Sequence, residues 1–225
     1  IKKGSCAAFL RDLPRFYEAV RATVDAVSVP VMVKTRIGWD DNSINIVEIV
    51  ERAQDAGAQA IAIHGRTVVQ KYDGRADWDW IRRACDNADV PIFGNGDVRT
   101  YEDAVAMTEQ TGCDGVMVGR GAIRDPWTLL HISRHLAGEE AIHVTSSERH
   151  RVLIGYLDSI RERFRSERGV LGRFKKISNY FTKGLPFGSD VRTRILRSQS
   201  IEEALEHIED YFVRLRAYEC GERTA

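Results

Sequence analysis

The sequence predicts an α/β fold, the C-terminal half of a TIM (β/α)8 barrel made of four βα units, followed by a small all-α helical domain. Three observations predict it. Short apolar runs end near residues 34, 64, 95 and 119, and each is followed by a helical pattern. The repeat of roughly 30 residues suits a barrel unit, in which polar residues at strand C-termini line one face. Beyond Gly138 the rhythm changes to helices alone. The division is expected near residues 138–146, giving a partial barrel over 1–140 and a helical domain over 141–225. A doubly wound sheet is the competing topology, but GxGxxG after an early strand is missing. A closed barrel needs eight units, and the sequence opens at Ile1 in mid-pattern, so the expectation is a chain lacking the N-terminal half of the barrel.

The elements follow in order. Asp12 to Ala26 places Phe16, Val20, Val24 and Val27 at helical spacing, and Ser28-Val29-Pro30 ends that helix. Val31-Met32-Val33 reads as a short buried strand with Lys34 at its far end. Asn42 to Ala56 is helical again, stopped by Gly57. Ala60 to Ile63 delivers His64, and a loop with Gly65, Gly74 and Trp78 leads to a helix over 77–87. Val90 to Phe93 delivers Asn95. Thr100 and Asp103 form an N-cap pair for a helix to Gln110. Gly115 to Val118 delivers Gly119-Arg120, and Asp125-Pro126 opens a helix that Gly138 closes. In the second part Thr145-Ser146-Ser147-Glu148 is a capping box. Leu171, Phe174, Ile177 and Phe181 mark a second helix stopped near Gly184 and Pro186. Ser189 to Arg197 is a third, and Ser200 with Glu203 opens a fourth running to about Tyr218.

With 43% hydrophobic and 29% charged residues the chain can build a core. No apolar run approaches the roughly 20 residues of a membrane helix, and no signal-peptide pattern appears, so the chain reads as soluble and cytoplasmic. The formal net charge is zero, yet residues 145–200 carry 13 Lys and Arg against 5 Asp and Glu. That asymmetry points to a polyanion-binding segment, or to solvated helix faces, joined to a more acidic domain. Four scattered cysteines without CxxC or His-paired spacing argue against a zinc site and a disulfide framework. Cys85 and Cys113 read as small buried residues, and Cys6 has no activating neighbour.

The candidate chemistry sits at the strand ends. Asn95-Gly96-Asp97 and Gly119-Arg120 are glycine-containing β-to-α turns, starting 24 residues apart. Such turns let backbone N–H groups approach an anion at a helix N-terminus, so the pair suggests a phosphate clamp. A glycine needed only for positive φ is the plainer alternative. Lys34 can hold a carbonyl, a phosphate or developing negative charge, and His64 can donate a hydrogen bond or act near neutral pH. Each alone is also an ordinary structural residue.

Together VMVKTRIGWD, IAIHGRT, IFGNGDV and GVMVGRGA resemble the tRNA-dihydrouridine synthases, most nearly their bacterial B-like branch. IKKGSCAAFL resembles the segment just after the family's active-site loop, and GRFKKISNYFTKGLP its C-terminal tRNA-binding helices. The resemblance implies flavoproteins that reduce the C5–C6 double bond of uridines in tRNA, with FMN at the mouth of a TIM barrel and NADPH as electron donor. It implies that Lys34 and His64 contact the flavin and that the backbone of Asn95, Gly96 and Asp97, with Gly119 and Arg120, holds its phosphate. It places Arg36 near the RNA, and Arg173, Lys175, Lys176 and Lys183 in the tRNA-binding helices. The family's general acid, a cysteine in a Gly-Cys-Pro motif, is expected upstream of Ile1, so no catalytic residue is assigned and Cys6 does not inherit the role. The chain is expected to be inactive or weak by itself. Two rival readings are another FMN-dependent barrel oxidoreductase and a non-catalytic RNA-binding fragment.

Overall fold

The computed structural model describes residues 6–221. Packing divides the chain into two compact units, residues 1–121 and 122–225, earlier than the expected division after residue 140. The segment after Gly121 belongs with the helices for a local reason. Trp127 packs against the helical core, Arg149 lies 5.2 Å over its ring, and Arg149 pairs with Asp125 at 3.7 Å.

In the first unit a 3-10 turn, Cys6–Arg11, leads into α1, Leu13–Ala26. Then β1, Met32–Arg36, α2, Ile46–Asp55, β2, Ala60–His64, α3, Asp79–Cys85, β3, Ile92–Asn95, α4, Tyr101–Thr111, and β4, Gly115–Met117, alternate without interruption. Among the described residues the four strands are all parallel and lie in the order β1-β2-β3-β4. Successive helices pack neighbour on neighbour. An unbroken sequential order with no reversal is the progression of a barrel wall, not of a doubly wound sheet with its switch point.

Strand alternation sorts the side chains. Thr35, Ile61, Ile63 and Ile92 are buried and share a face with Gly94, where an added Cβ would come 2.6 Å from Met107 Sδ of α4. This is the helix-covered core. Ile46, Ile49, Val50 and Ala53 of α2 recur at i, i+3, i+4, i+7 and are fully buried. Each of the isoleucine and valine side chains contributes about 1.5–3 kcal/mol. The opposite face carries Lys34, Arg36, His64 and Asn95. The expected buried strand at 31–33 is less enclosed, since Met32 is 47% exposed. It lies on that open face, and β1 pairs with β2 only among the described residues. The strand also continues past Lys34 to Arg36.

Helix ends follow their chemistry. Asp12 accepts from Arg15 N at 3.2 Å, and Thr100 with Asp103 forms a capping box. The helix expected from Asp125-Pro126 starts later. A five-residue helix, α5, Arg120–Arg124, comes first, and Asp125 then closes a turn by accepting from Trp127 N and Thr128 N. Only then does α6, Thr128–Leu136, begin.

The second unit continues with α7, Ser146–Arg163, α8, Glu167–Phe181, α9, Gly188–Arg197, and α10, Ile201–Glu219. Thr145 with Glu148 makes the anticipated capping box, and Ser166 and Ser200 cap α8 and α10. Leu153 and Leu157 of α7, Phe174 of α8, Ile195 of α9 and Phe212 of α10 meet in one buried cluster. None of the described helices is long and apolar enough to cross a membrane. Phe174→Ala, which empties the middle of this cluster, is expected to destabilise the helical unit by about 3–5 kcal/mol. Urea unfolding followed by far-UV circular dichroism measures this, and a change within about 0.5 kcal/mol contradicts the packing.

Candidate functional site

Parallel pairing puts Arg36, His64, Asn95 and Met117 in one row across the ends of the four strands. Lys34 stands one row below, opposite Ala62, rather than at the strand end. It still joins the site, because its Nζ donates to Asn95 Oδ1 at 3.3 Å. Asn95 Nδ2 in turn donates to Met117 O at 2.6 Å. Asn95 thus links β1 to β4 across the sheet. Partial burial, reinforced by Arg36, holds the Lys34 ammonium below its ordinary pKa, as expected for a cation drawn out of water.

The first glycine turn is packed from below. Gly96 has φ +121, and a Cβ there would lie 2.7 Å from Ala76 Cβ and 2.9 Å from His64 Cδ2. Glycine is required both for the backbone and for the approach to His64. Asp97 follows at φ 60, a left-handed conformation that aspartate tolerates better than most residues. Its carboxylate accepts from Arg66 Nη2 at 2.8 and 2.7 Å and from Ala76 N at 2.7 Å. Burial alone would raise its pKa, but the bonds from Arg66 and Ala76 hold it below the usual value. With the carboxylate turned to Arg66, the backbone of the turn is what remains for an anion.

The second turn lies against the first. A Cβ on Gly121 would come 2.6 Å from Val98 O, and one on Gly119 would be 4.0 Å from Asn95 Nδ2. Arg120 and Arg99 bring guanidinium nitrogens to 4.0 and 3.9 Å from Asp97. All seven residues expected around a cofactor, Lys34, His64, Asn95, Gly96, Asp97, Gly119 and Arg120, are therefore gathered at one end of the sheet.

Three further residues complete the arrangement. Arg66 is 1% exposed and binds Asp73 O and Gly74 O as well as Asp97. Trp78 Nε1 donates to Gly96 O at 3.0 Å. Tyr72, 57% exposed, has Arg120 Cζ at 4.3 Å and Arg36 Cζ at 5.6 Å from its ring, with His64 6.2 Å away. Arg36 also pins the 65–78 loop by donating to Thr67 O and Lys71 O at 2.7 and 2.8 Å. The IAIHGRT motif reaches only the first residues of this loop, Gly65 to Thr67, and nothing in the sequence marks Tyr72 or Trp78 as part of the site. The one signal it carries is an arginine just past the β2 end and an aspartate just past the β3 end, which the His64–Asn95 register brings together.

His64 is buried, and its pKa is lowered to about 4 by burial first, then by Arg36, Lys34 and Arg66. It is neutral at pH 7. Among the described residues no group of three His, Cys, Asp or Glu side chains is arranged to hold a metal ion. Burial, helped by Cys113 and Asp114, pushes the Cys85 thiol up to about 12, so it is a poor nucleophile. The side chain of Cys6 lies outside the described residues.

In the helical unit Arg173, Lys176 and Lys183 are exposed. Arg173 lies 3.8 Å over the Phe164 ring and donates to Gly169 O. Lys175 is used differently: its Nζ donates to Leu196 O and Ser198 O at 3.0 and 2.5 Å, closing the C-terminal end of α9.

A family model for dihydrouridine synthase (Dus) matches residues 1–216. A probable tRNA-dihydrouridine synthase 1 of Synechocystis sp. is 39% identical over 204 residues, covering 90% of this chain and 57% of that protein. The tRNA-dihydrouridine synthase B of Pseudomonas putida is 33% identical over 211 residues, covering 93% of this chain and 62% of the relative. The chain thus spans about three-fifths of the length of these two curated relatives. A crystal structure of mandelate oxidase with (S)-2-phenylpropionate aligns with a TM-score of 0.37 at 18% identity, over 88% of this chain and 67% of the oxidase.

The electrostatics of the strand ends can be tested through stability. Asp97→Asn strands the buried guanidinium of Arg66 and is expected to destabilise the first unit by about 3–5 kcal/mol at pH 7, read from urea unfolding. His64 is depressed in the fold relative to its ordinary 6.5, so the unfolded chain takes up a proton that the folded chain refuses. Stability is therefore full above about pH 6.5 and falls as the pH drops towards about 4. His64→Asn should flatten that limb of a melting-temperature profile, and an unchanged slope assigns it to other groups.

Proposed function

The chain belongs to the dihydrouridine synthase family, and from that premise we propose that the strand ends of its first unit form part of an FMN site serving the reduction of uridine to 5,6-dihydrouridine in tRNA. The observation that carries this reading is the pair of adjoining glycine turns, 95–97 and 119–121, with Lys34 and His64 on the same rim. The residues present suit a phosphate-ended planar cofactor. A Cβ at Gly96 or Gly121 would collide with His64 or Val98 O, so both turns are kept in the close-packed form that backbone anion sites use. Lys34, Arg36, Arg99 and Arg120 make the rim positive, because Asp97 already neutralises Arg66.

When bound, FMN supplies the hydride for the C5–C6 bond and is itself reduced by NADPH. The chain's own residues bind, orient and supply charge. The backbone of Asn95, Gly96 and Asp97, with Gly119 and Arg120, holds the phosphate. Lys34, drawn into position by Asn95, offers a positive charge where negative charge develops on a reduced ring. His64, kept neutral, offers a hydrogen bond without adding charge. Tyr72, exposed and with Arg120 over its ring, supplies an aromatic and cationic surface at the rim against which an unstacked base can rest, in keeping with the need to bring the target uridine out of its stack. Arg173, Lys176 and Lys183 supply phosphate contacts that position the tRNA.

The sequence contains no Gly-Cys-Pro, the motif that carries the family's proton donor. Four described strands are half of a closed wall. The polypeptide of residues 1–225 is therefore expected to form little or no dihydrouridine by itself. Incubation with FMN, NADPH and unmodified tRNA, followed by mass spectrometry of nucleosides, tests this. Rapid turnover on tRNA contradicts it, and turnover on free uridine instead favours a small-molecule barrel oxidoreductase. Replacing Arg173, Lys176 and Lys183 by Ala is expected to lower the slope of tRNA affinity against salt by about 1 for each phosphate no longer neutralised. Lys175→Ala should chiefly lower the melting temperature. An unchanged slope in the triple variant removes those side chains from the interface.

A further inference from the structure

We propose that Arg66 is a positioning residue that fixes His64 as the neutral imidazole with its proton on Nδ1, and so leaves an Nδ1–H donor at the strand ends. The proposal rests on the reading of His64 as a cofactor contact and names the side chain that prepares that contact.

Arg66 Nη1 lies 3.4 Å from His64 Nε2. A guanidinium has only donors, so Nε2 must present its lone pair, and in a neutral ring the proton then resides on Nδ1. The same ring edge is enclosed on its other side. A Cβ at Gly96 would be 2.9 Å from His64 Cδ2 and 3.3 Å from Nε2. The Nδ1–Cε1 edge is therefore the one that Arg66 and Gly96 leave uncovered.

Arg66 has little freedom to give this up. Its Nε donates to Asp73 O at 3.2 Å, and its Nη2 donates to Gly74 O at 2.7 Å and to both oxygens of Asp97. These bonds come from two segments, the 65–78 loop and the β3 turn, and they fix the guanidinium plane. The charged groups facing His64 are Lys34 and Arg36 from β1, Arg66 from the loop and Asp97 from the β3 turn, while the Tyr72 ring stands 6.2 Å away. Three cations against one carboxylate, itself occupied by Arg66, disfavour the imidazolium. A lysine at position 66 could serve Asp97 or the loop carbonyls as a point charge, but it lacks the planar fork needed to reach all of these partners and His64 together.

The consequence is chemical. An Nδ1–H donor matches an acceptor atom on a bound planar cofactor, a carbonyl oxygen or an unprotonated ring nitrogen. A free imidazole side chain favours the Nε2–H form, so the tautomer is a property this site imposes.

The test is 15N NMR of the 225-residue chain labelled at histidine, near pH 7 and without added flavin, with His64 assigned by its absence in His64→Asn. The expected spectrum shows a protonated Nδ1 and an unprotonated Nε2 for His64. In Arg66→Lys, shown to be folded by circular dichroism, that single-tautomer signature should be lost towards Nε2–H. An Nε2–H or averaged His64 in the unaltered chain overturns the proposal, as does an unchanged signature in folded Arg66→Lys. If Arg66→Lys does not fold, Arg66→Gln is the second variant, and should that also unfold the spectrum of the unaltered chain decides. FMN titration separates the two readings. Where FMN binds, Nδ1–H signals of His64 that FMN leaves unshifted remove the cofactor role and leave the tautomer assignment, whereas FMN binding with an Nε2–H His64 does the reverse.

Discussion

A guanidinium held at 1% exposure survives only where a counter-charge and several acceptors meet it, because an uncompensated buried charge costs several kcal/mol. Arg66 meets those conditions through Asp97, Asp73 O and Gly74 O, and the strand-end geometry follows from it. To bring the Asp97 carboxylate to Arg66, the chain after β3 adopts positive φ at two successive residues, Gly96 and Asp97. That reversal carries Gly96 onto the His64 ring and stacks the turn against Gly121. A buried ion pair adds little net stability over a hydrophobic pair of the same volume, although breaking it is costly. A hydrophobic pair could fill the same space, but it would not aim a turn or orient an imidazole.

The sheet supplies the other half of the constraint. In a parallel ladder the register assigns each side chain a row, and a slip of one residue moves it to the other face. Here the register places Arg36, His64 and Asn95 in a row on the face away from the helices. The apolar rows made by Ile61, Ile63 and Ile92 hold that register, because exposing them would forfeit the burial that stabilises the unit. Polar function at the strand ends is thus maintained by packing on the opposite side of the same strands.

Much of this is legible in the sequence, and the parts that are not share a cause. Strand and helix order, the Thr100–Asp103 and Thr145–Glu148 capping boxes, and the glycine turns are local signals, and each appears in the structure. The apolar run stops before Lys34, which makes that residue look like the strand end, whereas β1 extends to Arg36 through pairing with β2. Asp125-Pro126 has the composition of a helix start, but Asp125 closes a turn instead. Arg66, Tyr72 and Trp78 derive their roles from residues that register and loop folding bring to them. A single sequence holds no spacing rule for such partners.

The charge distribution shows how far composition overstates a binding surface. Residues 145–200 carry eight more basic than acidic side chains, yet a good share of those cations have structural work. Lys175 closes α9, Arg192 donates to Thr182 O, Arg194 pairs with Asp210, and Arg149 lies between Asp125 and Trp127. A cation engaged with a carbonyl or carboxylate must break that contact before it can neutralise a phosphate, so its contribution to polyanion binding is reduced by the energy of the contact it gives up. Arg173 is exposed with its guanidinium 3.8 Å over the Phe164 ring, and its one bond to Gly169 O engages a single one of its five N–H donors, leaving the others for solvent or a phosphate. Lys176 and Lys183 are exposed as well. The positive surface left for a polyanion is therefore a narrower set of side chains on the helical unit than the net excess implies, and Arg173 is the member that packing has already oriented.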